Sequence, residues 1–424
     1  MDSSAEQQVP PVPQSKRRPL RRRLLLFGFS VCVFLIALKL ADWGIGWALK
    51  TEQRHWLRLT PNAEVTHKSN EFEYIFRTNS WGLRNPEIPL QKPEGTLRLA
   101  IVGDSFVAGL GARDDEVFPR LLEHRLAESL GHQPVQVLNL GRAGSSAICE
   151  VDLYETIGRP FQPDAVILAV FLGNDLVEIL EEHDVEELKA WTPPGLLRGL
   201  AYRAYPHLYL ELAMQKAARA SEKSQETRSE EALWEFVRAA APRKGLEPDP
   251  VRDRFEQMPQ DVIEDTRKGL FSQSTFQHAC VEPDRLVKGL SPDQGFVAKA
   301  WPRLEKQLKR MQRLAESDRA RFLIVLIPHA AQVDPAAWEF CERIGFHMQK
   351  DWLAEPSFLQ NEIPAWCETN RVPCLDLTAK LREMSEPVYY PKDGHWNPRG
   401  HELVAKWLSE WPELRTSVSE KSAK

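Results

Sequence analysis

The sequence predicts an α/β fold built on a central parallel sheet. Five apolar runs of strand length recur along the chain, and segments of helical length separate most of them. Strands that alternate with helices at this spacing form right-handed βαβ units, in which the strands are parallel. The first three runs are each followed by a short polar patch that contains glycine. Such patches meet beyond the carboxyl ends of parallel strands, where ligands bind.

Each element of the predicted sheet can be placed in order. The apolar runs are typical of buried strands. The last helix is the most clearly marked, because Asn397 is a favourable N-cap and Pro398 occupies the first helical position. The predicted strands are Leu97–Gly103, Val135–Leu138, Ala165–Leu172, Arg321–Ile327 and Val372–Leu377. The predicted helices are Glu116–Leu130, Ala147–Gly158, Pro302–Ser317, several across Ala336–Asn370, and one from Pro398 to about Trp411.

Charge is unevenly distributed along the 424 residues. The net charge is −5, but residues 1–23 carry six Lys or Arg against two acidic residues, which leaves −9 for the remainder. A mildly acidic body without a basic stripe argues against nucleic acid as a partner. We predict that residues 1–23 form a disordered basic tail, Pro-rich in its first part.

An apolar segment directly after this tail predicts a membrane anchor. Leu24–Leu38 carries no charge but is shorter than the about 20 residues that a span requires. If Lys39 and Asp42 are tolerated on one helical face, the helix extends to Leu49. We therefore predict a transmembrane signal anchor over residues 24–49. The positive-inside rule then places the tail in the cytoplasm and the rest of the chain outside it, in the periplasm or beyond the cell.

A cleaved signal peptide is the alternative interpretation of the same segment. The apolar core of a signal peptide is about 7 to 15 residues long. However, no small-x-small cleavage site follows the apolar run, and the arginines before Leu24 only faintly resemble a twin-arginine export signal. We favour the uncleaved anchor.

The remaining chain divides into a lead-in segment, a main domain and a tail. We predict a lead-in over residues 50–95, in which Arg77–Asn85 forms a small hairpin or an ordered loop, a main domain over residues 96–412, and a disordered tail over residues 413–424. The main domain carries a charged, largely helical insertion at about residues 178–300. An insertion at the mouth of a sheet is either a lid over the site or a surface elaboration that only stabilises the fold.

Four of the six cysteines are candidates for disulfide bonds outside the cytoplasm. These are Cys280, Cys341, Cys367 and Cys374, and the pair Cys367–Cys374 is the specific expectation because the two residues flank the start of a strand. The alternative is that all are reduced and behave as small apolar residues.

Ser105 is the candidate nucleophile. Gly103-Asp104-Ser105 directly follows a predicted strand, which places the hydroxyl at the top of the sheet. A Gly-x-Ser-x-Gly elbow is not present, because Val107 stands where the second glycine would be, and this argues against an α/β-hydrolase. A serine hydroxyl also requires a neighbouring base.

His395 is the candidate base, and Asp393 is the candidate residue that orients it. An acid two residues before the histidine can hold its imidazole, which is the task of the third member of a triad. A metal-binding Asp and His pair is the competing interpretation, but no second His or Cys accompanies them at a ligand spacing. His401 lies further along the next helix and should face elsewhere.

Donors for a tetrahedral oxyanion are available in the other patches. Ser105 and Gly144 can donate backbone N–H groups, and the Asn174 side chain can donate an amide N–H. Glycine at position 144 also permits a close approach of the backbone to a ligand.

Taken together, the patches resemble the SGNH hydrolases, also called GDSL-type esterases. The Ser, Gly, Asn and His of that superfamily correspond to Ser105, Gly144, Asn174 and His395, and the resemblance covers roughly Leu97–Asp175 and Val372–Leu408. It implies a three-layer α/β/α sandwich of flavodoxin-like type and serine esterase or acyltransferase chemistry that uses neither a metal nor a cofactor.

One position departs from the superfamily pattern. Lys392 stands three residues before the histidine, where the superfamily usually has Asp, and Asp393 stands two before it. The Asp-x-His-Trp form is similar to the membrane-anchored branch that includes relatives of alginate O-acetyltransferases. His329, which follows the strand Arg321–Ile327, would face the same crevice, either as a substrate contact or as part of a surface loop.

These observations predict an extracytoplasmic serine esterase. Its substrates would be O-acyl esters of carbohydrate or lipid, cleaved through an acyl-serine intermediate. The first alternative is an O-acyltransferase that modifies a cell-envelope polysaccharide with the same residues. The second is a catalytically silent glycan-binding or assembly protein.

Overall fold

The computed structural model describes residues 20–51, 59–181, 196–209, 212 and 229–416. The chain divides into two compact units, one formed by residues 1–52 and 192–218 and the other by residues 53–191 and 219–424. Residues 1–19 of the predicted basic tail, the polar stretch 221–228 and residues 417–424 lie outside the described residues.

Seven strands form two sheets in the part of the chain that the structure describes. A two-stranded antiparallel hairpin precedes a five-stranded parallel sheet, whose order β4-β3-β5-β6-β7 is the 2-1-3-4-5 order of flavodoxin-like folds. The predicted α/β fold with a central parallel sheet is thereby confirmed. The strands are β1 Glu64–Lys68, β2 Glu73–Arg77, β3 Leu97–Gly103, β4 Val135–Gly141, β5 Ala165–Phe171, β6 Arg321–Ile327 and β7 Cys374–Asp376.

Helices flank the parallel sheet and fill the insertion. The first group comprises α1 Leu20–Thr51, α2 Ser105–Ala108, α3 Phe118–Ser129, α4 Ala147–Leu153, α5 Asp175–Glu181 and α6 Leu196–Ala204. The second comprises α7 Glu230–Arg238, α8 Pro248–Gln257, α9 Gln260–Arg267, α10 Gln273–Val281, α11 Arg285–Leu290 and α12 Gln294–Ser317. The third comprises α13 Pro335–Arg343, α14 Phe358–Asn370, α15 Thr378–Arg382 and α16 Pro398–Glu410.

The sheet separates two apolar cores. All seven residues of β3 are buried, because alternate side chains enter opposite cores. Leu99 and Ile101 pack with α3 and α16 on one face, whereas Ala100 and Val102 pack with α4, α5, α12 and α14 on the other. Helices α7 to α11 of the insertion extend this second core. The result is the expected three-layer arrangement.

Several predicted boundaries are wrong, and local chemistry explains most of them. Helix α12 begins at Gln294 instead of Pro302, because Asp293 caps its N-terminus through a bond from the Phe296 N–H and the proline lies inside the helix. The helix predicted to run to Gly158 ends as α-helix at Leu153 and continues as a π-helical turn over Tyr154–Gly158.

Other boundaries shift by a few residues. Residues 78–85 form an ordered loop, which is one of the two predicted alternatives, and the hairpin of the lead-in lies earlier, at β1 and β2. Residues 412–416 add a helical turn whose Leu414 is buried, so the predicted disordered tail does not begin at residue 413.

Cys367 and Cys374 are thiols joined by a hydrogen bond, and the expected disulfide is not formed.

The lead-in packs on the main sheet through buried polar contacts. Asn85 donates from Nδ2 to the Val137 carbonyl and accepts from the Asn139 N–H, which binds the loop to β4. Arg84 is 4% exposed, and its guanidinium lies over the rings of Tyr74 and Phe76. These contacts attach the lead-in next to the helix that begins at Ser105.

The Arg84 guanidinium also binds the segment that directly follows α2. It donates to the carbonyl oxygens of Ala108, Gly109 and Ala112 at 2.6 to 3.0 Å, and its Nε donates to Asp114 at 2.9 Å. Because these carbonyls are buried, they have no solvent to replace a lost donor.

We expect Arg84→Met to lower the free energy of unfolding of the main domain by about 3 kcal/mol, since it leaves buried carbonyls and Asp114 without their cation. Denaturant titration of the detergent-solubilised chain measures this change. Arg113→Met is the matched control, because the Arg113 side chain is 66% exposed and loses only surface ion pairs. Equal stabilities for the two variants would contradict the assigned contribution of Arg84.

Candidate active site

Ser105 is placed at the carboxyl end of β3 by the cap of a short helix. Asp104 is the N-cap of α2, and its Oδ1 accepts from the Phe106 N–H at 2.9 Å. Ser105 is therefore the first helical residue, where the backbone N–H has no acceptor within the helix. Its side chain faces a cavity, and the residue is 9% exposed. The predicted position of the hydroxyl at the top of the sheet is confirmed.

A tight loop before α16 carries Asp393 and His395. Tyr389 and Trp396 form an antiparallel bridge across the loop, and the Tyr390 N–H donates to the His395 carbonyl at 2.8 Å. Gly394 has a φ of +83°, which other residues adopt only with strain. The predicted cap is also present, since Asn397 accepts from the Gly400 N–H and Pro398 is the first helical residue. The loop is thus fixed at both ends.

The three residues form a continuous hydrogen-bonded chain. His395 Nε2 lies 2.7 Å from Ser105 Oγ, and His395 Nδ1 lies 2.5 Å from Asp393 Oδ1. A carboxylate accepts, so the Nδ1 atom carries the ring proton and Nε2 is left to accept the serine proton. This is the geometry that a serine nucleophile, its base and the orienting acid require.

The imidazole is held by aromatic rings as well as by hydrogen bonds. The Phe106 ring lies 5.1 Å from the His395 ring and 4.9 Å from the Trp396 ring. Phe106 follows Ser105, and Trp396 follows His395. The two neighbouring rings therefore pack against each other, and the Phe106 ring also packs against the imidazole.

Carboxylates control the basicity of the site. Burial lowers the pKa of His395, but the attraction of Asp393 and Asp104 outweighs it, and the pKa is raised above the ordinary 6.5. Burial raises the pKa of Asp104 to about 6, although its bond from the Phe106 N–H opposes the rise. The Asp104 carboxyl lies 3.5 Å from the Ser105 hydroxyl. Two acids therefore influence the histidine, and Asp393 is the one that contacts its ring.

The departure at position 392 has a structural explanation. The Lys392 ammonium lies 4.0 Å from the Asp265 carboxylate, with both side chains partly exposed. Asp393, and not the residue at position 392, lies beside the imidazole of His395. Gly394 between Asp393 and His395 allows the turn that brings an acid only two residues away onto Nδ1.

The residues predicted to donate to an oxyanion line the same cavity. Ser105, Gly144 and Asn174 border a cavity of about 430 Å³, together with His329, Asp393 and His395. Gly144 has a φ of +68°, and open space lies where its side chain would be. The Asn174 amide donates from Nδ2 to Glu178 Oε1 at 2.9 Å, so one of its two N–H groups is already used.

A buried cation from the insertion supports Asn174, and sequence analysis did not identify it. Arg285, 6% exposed, donates to Glu178 Oε1 at 3.0 Å, and Glu178 is the acceptor of the Asn174 amide. Arg285 also borders the cavity. Glu178 lies four residues after Asn174, a helical spacing that brings side chains together and could have indicated this pair. No local signal points to Arg285.

Glu71 is a second residue that sequence analysis missed. It lies in the turn between β1 and β2, and its carboxylate accepts from the backbone N–H groups of Lys392 and Asp393 at 3.2 and 2.7 Å. Burial raises the pKa of Glu71, against the effect of these two bonds. The lead-in therefore holds the loop of the base in place.

The two remaining candidate histidines differ in position. His329 lies in the cavity wall, stacks on Phe171 and accepts at Nδ1 from the Ala331 N–H. Burial lowers the pKa of His329 to about 4, so its ring is neutral at pH 7. His401 faces the core, as expected, and accepts at Nδ1 from the Phe118 N–H. Only His329 is placed to touch a ligand.

The insertion and α13 form the outer walls of the cavity. One wall presents polar groups and the other is apolar. The polar side chains are Ser272, Ser274, Thr275 and His278, and the apolar ones are Ala337, Phe340, Ile344 and Phe346. Within the described ranges, no group of three or more His, Cys, Asp or Glu side chains is placed to hold a metal ion.

Comparisons with known proteins find matches among solved structures. No protein-family model and no curated protein matches the chain. A protein assigned to the G-D-S-L family of lipolytic proteins from Desulfitobacterium hafniense has 11% identity, and the alignment covers 74% of this chain and 98% of that one, with a TM-score of 0.33.

Two further solved structures are similar in the same way. An acetyl xylan esterase has 11% identity and a TM-score of 0.32, with 75% of this chain and 100% of that one covered. A GDSL-like lipase from Bacteroides thetaiotaomicron has 10% identity and a TM-score of 0.32, with 76% and 88% covered. At 10 to 11% identity these likenesses concern the fold alone.

We expect the pKa of His395 to lie above 6.5 and to fall in Asp393→Asn, because the neutral amide no longer stabilises the imidazolium. Titration of the histidine Cε1 signals by NMR, with His395→Gln to assign the resonance, measures this. Asp284→Asn is the control, since Asp284 contacts only the exposed His347 in this way, at 2.6 Å. An unchanged His395 pKa in Asp393→Asn would show that another acid governs the ring.

Proposed function

We propose that this protein is a serine esterase of the SGNH type, anchored in the membrane by α1 with its catalytic unit outside the cytoplasm. It hydrolyses O-acyl esters of carbohydrate or lipid through an acyl-serine intermediate. The observation that carries the proposal is the hydrogen-bonded chain from Ser105 Oγ through His395 to Asp393. A serine, a histidine and an aspartate at these distances serve nucleophilic acyl transfer.

The first half of the reaction acylates the serine. Ser105 Oγ attacks the ester carbonyl while His395 Nε2 takes the hydroxyl proton, and Asp393 stabilises the imidazolium that forms. The carbonyl oxygen becomes an oxyanion, for which the N–H groups of Ser105, Gly144 and Asn174 are the proposed donors. The C–O bond then breaks, and the leaving alcohol takes the proton from His395.

The second half returns the enzyme to its starting state. A water molecule attacks the acyl carbon, and His395 Nε2 takes one of its protons. The bond to Ser105 Oγ breaks, the serine recovers its proton from the imidazolium, and the carboxylic acid leaves. Asp393 and Asp104 raise the pKa of His395 above its ordinary 6.5, which stabilises the imidazolium that forms in both halves of the reaction.

The cavity supports an ester with a polar side and an apolar side. A volume of about 430 Å³ exceeds the space that an acetyl group alone fills. The apolar wall at Phe340, Ile344 and Phe346 suits the acyl group, and the hydroxyl-bearing wall at Ser272 and Thr275 suits a polar alcohol. This division supports an acylated carbohydrate or a lipid headgroup as the substrate.

The proposed location is supported by the N-terminal helix. Within the described residues, one helix is long and apolar enough to cross a membrane, at Arg22–Ile45. Its large apolar side chains are exposed, as a lipid-facing helix requires, for example Phe27 at 69% and Phe29 at 68%. The basic tail before it supports a cytoplasmic N-terminus.

Ser105→Ala and His395→Ala should each lower ester hydrolysis at least roughly 1,000-fold, and the double variant should lose little more, because triad members act as a unit. Release of acetate from a small acetyl ester measures the rate. Ser129→Ala is the control, because that hydroxyl only donates to the Leu126 carbonyl on α3. Natural turnover in Ser105→Ala would refute Ser105 as the nucleophile, whereas a natural protein without turnover would refute the esterase and favour a silent binding protein.

The same assay separates hydrolysis from acyl transfer when a polysaccharide acceptor is added. A hydrolase releases acetate at the same rate with or without the acceptor, because water reaches the acyl-serine. Negligible acetate release until the acceptor is present, with acetyl groups gained by the acceptor in mass spectrometry, would establish the O-acyltransferase instead.

We expect Glu71→Gln to lower kcat about tenfold while KM changes less than about twofold, since it displaces the Asp393 loop without altering the cavity walls. A glutamine keeps one acceptor oxygen but points an N–H group at the second backbone donor. Steady-state kinetics on the acetyl ester measure both constants.

Glu73→Gln is the matched control for this prediction, because Glu73 is exposed and only pairs with Lys68. Its kinetics should equal those of the natural protein. A Glu71→Gln variant that changes KM alone would show that the lead-in contributes to substrate binding and does not position the base.

A further inference from the structure

Two charged residues interrupt the apolar face of α1. Lys39 and Asp42 form an ion pair at 3.2 Å, and Asp42 is only 2% exposed. A charged side chain within a membrane is costly and is found where it has a partner. At 1.5 Å per residue, Asp42 lies about 30 Å along the helix from Arg22, close to the end of the span opposite the basic tail.

The partner of this pair is a broken helical segment from the insertion, residues 196–209. Helix α6 ends at Ala204, and a new helical turn begins at Pro206. Both ends of the break leave backbone groups without partners inside a helix, carbonyl groups on the first side and N–H groups on the second. Such groups require donors and acceptors from elsewhere if the break lies in or near lipid.

Lys39 and Asp42 satisfy the two sides of this break. Lys39 Nζ donates to the Ala204 carbonyl at 2.6 Å, and Asp42 Oδ1 accepts from the N–H groups of His207 and Leu208 at 2.9 and 3.0 Å. The cation thus meets the C-terminal end of one helix and the anion the N-terminal end of the next, which is the favourable orientation for both helix dipoles. The Lys39 ammonium also lies 5.7 Å from the Tyr205 ring centre.

The outer surface of the segment is apolar and exposed. Leu196, Leu197 and Leu200 are 80%, 81% and 53% exposed, and α6 has no buried residue. Exposed leucines clustered in this way are unfavourable in water. They belong to the same compact unit as the exposed apolar side chains of α1. Arg198 and Arg203 supply cations that can reach phospholipid headgroups from a helix lying at the interface.

We propose that residues 196–209 are a second membrane-associated element, which lies in the interface of the outer leaflet and is docked on α1 by Lys39 and Asp42. Its partner is the phospholipid surface. Nine residues of α6 are too few to span a bilayer, so the element lies on the membrane instead of crossing it. This inference rests on the proposed membrane anchoring of α1, and it is independent of the proposed chemistry.

The docking also bears on the choice between anchor and signal peptide. Cleavage after α1 would remove Lys39 and Asp42 together. The Ala204 carbonyl and the N–H groups of His207 and Leu208 would then lose the partners described above. An element built on α1 supports the retention of α1 in the mature protein.

Photo-crosslinking of the full chain in vesicles tests the proposal. The vesicles contain phosphatidylcholine, phosphatidylglycerol and a diazirine-bearing phospholipid, and mass spectrometry locates the lipid adducts. We expect adducts on α1 and on residues 196–209, and none on the hairpin 64–77. The triple variant Leu196→Ser, Leu197→Ser and Leu200→Ser should lower adducts on the segment about fivefold and leave those on α1 unchanged. The control is Leu90→Ser, a leucine of the other unit that is 40% exposed.

The pattern of lipid adducts tests the anchor and the second membrane-associated element separately. Adducts on α1 alone would overturn the proposal and leave the anchor intact. Adducts on neither helix would refute the anchor and the proposal together. Ester hydrolysis by the same vesicles reports on the catalytic proposal separately, so a failure of one is distinguishable from a failure of the other.

A second measurement tests the docking itself. The double variant Lys39→Met with Asp42→Leu keeps α1 apolar but removes its bonds to residues 204–208. Tryptic cleavage after Arg203 in vesicles should become roughly tenfold faster, because the released segment opens more often. Ser30→Ala is the control, since that hydroxyl bonds only to the Leu26 carbonyl of α1 itself. An unchanged cleavage rate in the double variant would refute the docking.

Discussion

The hydrogen bond between Ser105 and His395 is the contact on which the rest of the site depends. It joins residues 290 positions apart, at a distance of 2.7 Å. Neither side could hold this distance alone, because one residue lies on a four-residue helix and the other on a loop. Asp104 caps the helix, and Arg84 binds the carbonyl groups at its C-terminal end. Glu71, a residue of the lead-in, binds the backbone of the loop that carries His395. The arrangement of Ser105, His395 and Asp393 therefore depends on the lead-in as well as on the sheet.

A second constraint is the excess of negative charge beneath the strand ends. Burial and the neighbouring Glu150 and Asp104 raise the pKa of Asp175 well above its usual range, which favours the neutral form of this carboxyl. An additional anion there would oppose the oxyanion that acyl transfer forms. The buried Arg285 brings positive charge to the same region through its bond to Glu178, which also acts on Asp175. This cation offsets part of the negative charge around the site.

Local signals predicted the elements that carry the reactive groups. The strand Leu97–Gly103 and the cap at Asn397 are readable because their determinants are neighbours in sequence: an apolar run in one, a capping residue before a proline in the other. Glu71, Arg84 and Arg285 were not predicted, since each acts through contacts formed only after the chain folds. The sequence does not distinguish a buried arginine from an exposed one. Only the contacts in the folded chain show which arginine stabilises the site.

Lys39 and Asp42 illustrate the same limit in the apolar helix α1. From the sequence they are two charges that interrupt the apolar segment and make its length ambiguous. In the structure they form hydrogen bonds with the backbone of Ala204, His207 and Leu208, where one helical turn ends and the next begins. The two charges supply the partners that the backbone groups at the helix break require, and the break supplies partners for the two charges. A charge inside an apolar segment is therefore better treated as an indication of a missing partner than as evidence against the segment.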